Sequence, residues 1–90
     1  MLWILADVYL CFEIDSYGHY FRKAKTKTVN AVEPNWNQDF IIELEGSQML
    51  RVLCYEELPN QTVKLRGKAH IEVGKDQQIH LNLNLFLIYL

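Results

Sequence analysis

The sequence predicts an all-β fold, an antiparallel sandwich, on three observations. Apolar residues recur with period two in several short runs, turn-forming residues separate those runs, and no window of a dozen residues carries a helical repeat. Ninety residues hold one domain with one core, so 1–90 is read as a single unit. Half the residues are apolar and 22% are charged, which is ordinary for a folded chain. A net charge of −2 gives no global attraction to nucleic acid, so any electrostatic function must come from local clustering.

The first strand is read over Tyr9 to Ile14, rich in aromatic and branched residues and closed by the turn chemistry of Asp15-Ser16-Tyr17-Gly18. Tyr20 to Val29 reads as one alternating strand with Lys23, Lys25 and Lys27 on one face and Ala24, Thr26 and Thr28 on the other. Asn30 to Asn37 is a loop, and Phe40 to Leu44 a strand with Phe40, Ile42 and Leu44 facing one way. Glu45 to Gln48 turns the chain into Leu50 to Tyr55, which Glu57 to Gln61 ends. Val63 to Val73 is strand-like, with Leu65 opposed to Lys64, Arg66 and Lys68. His80 to Leu85 alternates and then becomes continuously apolar, far too short to span a bilayer.

Cys11 and Cys54 lie in apolar alternating runs and read as buried thiols, in keeping with a reducing cytosol. His19, His70 and His80 are scattered, so no metal-ligand spacing emerges. Acid pairs such as Glu43 with Glu45, or Glu56 with Glu57, lack a partner set, and Ser16 and Ser47 have no nucleophile motif around them. The reading is a binding module with no catalytic residues and no cofactor.

The stretch Glu33-Pro34-Asn35-Trp36-Asn37-Gln38-Asp39-Phe40 is the most specific in the chain. Pro34 fixes φ and biases Glu33 toward extended geometry, and Trp36 offers a large apolar face whose indole N–H needs a partner. Asn35 and Asn37 can bond back to nearby backbone. These needs make Pro34, Asn35, Trp36, Asn37 and Phe40 a structural motif.

Together with the preceding strand Asp7 to Ile14, the basic strand and Leu50 to Glu56, this corner resembles the C2 domain family. The stretches Ile14 to Gly18, Lys23 to Thr26 and Ile42 to Gln48 resemble the breakpoint-cluster-region type of C2 domain, found in multidomain regulators of Rho-family GTPases. The resemblance implies a C2-type sandwich that lacks the family's first strand and ends on an atypical one. It also implies that Rho-family GTPases are met only through exchange-factor or GTPase-activating domains outside this chain.

Many C2 domains bind calcium through loop acids at one end of the sandwich. Here Asp7 matches one such position, but Val8 replaces the following proline and Leu58 stands where a second loop aspartate belongs. Calcium needs six to eight oxygens, so Asp7 and Glu56 are read as degenerate positions and calcium is not expected. Arg22, Lys23, Lys25 and Lys27 form one basic row, and Lys64, Arg66 and Lys68 a second. The resemblance makes these rows a site for acidic phospholipid on a cytoplasmic, peripheral membrane protein. Two alternatives stand beside it: a protein-docking or intramolecular domain without lipid, and lysines that merely guard strands from edge pairing.

Overall fold

The computed structural model describes residues 5–31, 34–44, 46, 49–74 and 78–82. These residues hold seven strands: β1 (Ala6–Ser16), β2 (His19–Lys25), β3 (Val29–Ala31), β4 (Asp39–Glu43), β5 (Met49–Glu57), β6 (Val63–Glu72) and β7 (Gln78–Asn82). Every pairing is antiparallel. One sheet runs β2-β1-β5-β6, with β3 also paired to β1, and β4 with β7 forms a second. The all-β antiparallel sandwich read from the sequence is what forms. No helix among the described residues is long and apolar enough to cross a membrane. The apolar tail expected to follow His80 to Leu85 lies outside them beyond Asn82.

The core follows from the two-residue period of β1. Its even residues Val8, Leu10, Phe12 and Ile14 pack with Leu50 and Val52 of β5, Ile42 of β4, Leu44 and Trp36. Phe12 and Phe40 meet at 5.7 Å between ring centroids, joining the two sheets. The odd residues Tyr9 and Cys11 are also buried, on the opposite face with Leu53. A strand buried on both faces reads as a continuous apolar run, as Val8 to Phe12 does.

Trp36 is almost fully buried, and its Nε1–H donates to the Val8 carbonyl at 3.2 Å. The Asn37 N–H donates to Asn35 Oδ1 at 3.1 Å, and Asn37 itself takes φ 48°, a left-handed value that asparagine tolerates. The corner therefore forms as the residues require. Glu33 lies outside the described residues.

The basic segment departs from expectation. Tyr20 to Val29 is not one strand, because β2 stops at Lys25 and β3 starts at Val29. Thr26 occupies the break, buried, and its Oγ1 accepts the Leu10 N–H at 2.9 Å while donating to the Lys27 carbonyl at 2.8 Å. The Thr26 N–H also donates to the Leu10 carbonyl at 2.9 Å. One side chain thus replaces a ladder bond where the chain bends, and a hydroxyl buried in an alternating pattern is the sign of it. Thr26→Val removes that acceptor and strands a buried N–H. A loss of about 1–3 kcal/mol is expected, read as a lower urea midpoint at unchanged slope.

Both basic rows are cut by bulges. Phe12 pairs with Ala24 and Glu13 with Arg22, so Lys23 is the extra residue in β2. Cys54 pairs with Gly67 and Tyr55 with Leu65, so Arg66 is the extra residue in β6. A bulge shifts the register by one and moves following side chains to the other face. Lys64, opposite Glu56, and Lys68, opposite Leu53, consequently lie on different faces of the sheet, and the single row expected of Lys64, Arg66 and Lys68 does not form.

Candidate functional site

The outer face of the β2-β1-β5-β6 sheet is built in cross-strand rows. Asp7 and Glu57 of neighbouring strands, with Val63, make the row at one end. Next come Tyr9, Tyr55 and Leu65, then Lys25, Cys11, Leu53 and Lys68, then Arg22, Glu13, Arg51 and His70. Two adjacent rows therefore gather four cations, Arg22, Lys25, Arg51 and Lys68, against one carboxylate, Glu13.

These cations differ in freedom. Glu13 Oε1 accepts from Arg51 Nε at 2.8 Å and also from its Nη2, so Arg51 is fixed within the sheet. The Arg51 guanidinium lies 3.9 Å from the Tyr20 ring centroid, and Tyr20 meets His70 edge-on at 5.9 Å. Lys25 Nζ sits 4.5 Å from the Tyr9 ring centroid, above an aromatic pair in which Tyr9 and Tyr55 stack at 5.5 Å. Arg22, Lys25 and Lys68 are exposed. A lysine drawn over a ring leaves its ammonium facing solvent on an apolar base.

Of the residues expected to form the basic site, Arg22, Lys25 and Lys68 come together on this face. Lys23 sits at the bulge beside them, and Lys27 follows in the segment between β2 and β3. Lys64 lies on the opposite side, and Arg66 Nη1 donates to Glu56 Oε1 at 2.8 Å. Sequence reading missed Arg51, Tyr9, Tyr55 and His70. All four sit in strands recognisable only as strands, and the signal that joins them is pairing register, which no single stretch of sequence carries.

At the Asp7 end the acids are engaged by neighbours. Asp7 Oδ1 accepts from Asn30 Nδ2 at 2.5 Å, and Glu57 Oε1 from Thr28 Oγ1 at 2.7 Å. Among the described residues no group of three His, Cys, Asp or Glu side chains could hold a metal ion.

The two cysteines are free and on opposite faces, Cys11 fully buried and Cys54 partly so. Burial pushes both thiols up, against the pull of Arg22 and Lys25 at Cys11 and of Arg66 at Cys54. Because the thiolate is the nucleophile, both should react slowly with a thiol-specific disulfide reagent at about pH 8 and fully once urea unfolds the chain. Rapid native reaction of Cys11 would contradict this packing.

Comparison with known proteins agrees with this architecture. The C2 domain profile matches residues 5–86. The human breakpoint cluster region protein is 52% identical over 79 aligned residues covering 76% of this chain and 6% of its own length. The mouse protein of that name is 42% identical over the same shares. The active breakpoint cluster region-related protein of Xenopus tropicalis is 51% identical, with 76% of this chain and 9% of its own length covered. The chain thus spans less than a tenth of the curated relatives it matches, and no solved structure matches it. With the profile running almost the whole length of a two-sheet antiparallel sandwich, the chain belongs to the C2 domain family.

Proposed function

We propose that this chain is a calcium-independent C2 module that binds acidic membrane lipid through the outer face of the β2-β1-β5-β6 sheet. By the resemblance to breakpoint-cluster-region C2 domains, it brings Rho-GTPase regulatory domains of a longer parent protein to the cytoplasmic membrane surface. The module itself binds rather than catalyses. The observation that carries the reading is the pair of adjacent rows with Arg22, Lys25, Arg51 and Lys68 against Glu13 alone. Each cation held near an anionic bilayer contributes about 1 kcal/mol, so such a face gives weak, salt-sensitive recruitment. Lys23 and Lys27 stand at its rim, whereas Lys64 and Arg66 contribute little because the β6 bulge turns them away.

Calcium independence is supported by the side-chain hydrogen bonds of Asp7, Glu56 and Glu57 to Asn30, Arg66 and Thr28. The Tyr9-Tyr55-Leu65 row favours one competing reading, a protein-docking surface, since aromatic residues dominate protein hot spots.

Flotation of the chain with neutral phosphatidylcholine vesicles and with vesicles containing phosphatidylserine or phosphoinositide separates the two. Binding to acidic vesicles only, weakened by salt and unaltered by calcium or chelator, is expected. Equal binding to neutral and acidic vesicles, or a strong increase with calcium, contradicts the proposal.

A further inference from the structure

The β1–β2 hairpin extends beyond the rest of its sheet. The β1–β5 ladder ends at Ile14 opposite Leu50 and the β5–β6 ladder one pair further at Met49 opposite Glu72, whereas β1 and β2 remain paired through Asp15 with Tyr20 and then Ser16 with His19 before the turn. The tip is the two-residue turn Tyr17-Gly18, closed by the Gly18 N–H donating to Asp15 Oδ1 at 3.0 Å. Tyr17 takes φ 52° and Gly18 φ 86°. Positive φ at both central residues is the primed turn that suits a hairpin, and its first position favours Asn, Asp or Gly. An aromatic residue there is held in a conformation that β-carbon sterics oppose.

No packing among the described residues compensates for that choice, because the Tyr17 side chain is fully exposed at 101%. Phe21, on the same hairpin, is 55% exposed. It begins the row Phe21, Ile14, Leu50 and Ile71, whose middle members are buried while Ile71 at its far end is 40% exposed. Arg22 follows Phe21 immediately and points to the basic outer face. The hairpin thus carries two unburied aromatic rings at one corner of the domain, Tyr17 at its tip and Phe21 on the inner face, with Arg22 on the outer face between Phe21 and the other cations. Aromatic rings with a polar tip, flanked by Arg or Lys, suit the bilayer interface. Asp15, the one acid in the projecting segment, has an oxygen committed to the Gly18 amide inside the turn.

We infer that the β1–β2 hairpin is the membrane-inserting tip of this domain, with Tyr17 and Phe21 entering the interface of an acidic bilayer while the outer-face cations engage headgroups. The contact lies at the end of the sheet opposite Asp7 and the β5–β6 turn. This rests on the lipid-binding reading and adds to it an orientation and a depth.

Tryptophan placed at Tyr17 (Y17W), or at exposed Val63 (V63W) at the opposite end of the outer face, reports which end inserts once the parent chain's fluorescence is subtracted. On phosphatidylcholine–phosphatidylserine vesicles with brominated acyl chains, quenching and a blue shift are expected from Y17W and not from V63W. Quenching at V63W alone, at both positions, or at neither while the protein still pellets with the vesicles overturns the inference and leaves lipid binding intact. Failure of the parent chain to pellet at all overturns both.

A second variant separates insertion from folding. Tyr17→Asn relieves the turn and should raise the melting temperature by a few degrees, yet lower affinity for the same vesicles roughly five- to tenfold at unchanged salt dependence. Unchanged vesicle affinity in the more stable variant would overturn the inserting role of Tyr17.

Discussion

Alanine at Trp36 is expected to cost about 3–5 kcal/mol, a large share of the 5–15 kcal/mol that holds an ordinary domain together. Trp36 is 1% exposed and is the largest of the fully buried side chains among the described residues. It packs between β1, β4 and β5, so its removal opens a cavity that neighbours on two sheets must collapse to fill. The thin margin of a 90-residue chain makes this the most damaging single truncation in the core. Trp36→Phe keeps most of the packing and forfeits the bond to the Val8 carbonyl, so it should cost less, about 1 kcal/mol for the hydrogen bond together with some lost contact area. Urea unfolding checks both: the midpoints should fall in the order parent, Phe, Ala. Equal midpoints for parent and Ala would contradict the placement of the indole.

Neutralising the three exposed cations of the outer face has the largest expected effect on function. In Arg22→Gln/Lys25→Gln/Lys68→Gln, the loss of about 1 kcal/mol per cation corresponds to roughly a hundredfold weaker association with acidic vesicles. Arg51 is left alone because Glu13 fixes it, and removing it would leave a partly buried carboxylate without its partner. The three chosen residues are exposed and none forms an ion pair with a carboxylate among the described residues, so the fold should survive with a melting temperature near that of the parent. A folded triple variant that binds acidic vesicles as the parent does would exclude this face from lipid contact.

The sheet was legible in the sequence where side-chain period and burial coincide. Phe40 to Leu44 and Leu50 to Val52 announce their inward faces by alternation, Val8 to Phe12 announces burial on both faces by an unbroken apolar run, and the needs of Trp36 are met as its chemistry requires. The basic surface was legible only in composition. Alternate lysines suggest one face, but the extra residues Lys23 and Arg66 shift the register, and a bulge leaves no mark in a run of polar residues. Thr26 is the instructive exception, a polar residue at an inward position whose hydroxyl stands in for a missing ladder bond. The juxtaposition of Lys25 with Tyr9, or of Arg51 with Tyr20 and His70, depends on which strands are neighbours and in what register. Such rows are properties of the assembled sheet.

The most direct test of the outer face as the lipid site compares two reversals of equal charge. Lys25→Glu/Lys68→Glu alters two cations of the central row, and Lys27→Glu/Lys64→Glu alters two that lie off it. Co-sedimentation with phosphatidylserine-containing vesicles at one fixed salt concentration reads both. The central-row variant should lose binding, while the other keeps most of it. Equal losses would show that net charge alone drives association and that the outer face has no special part in it.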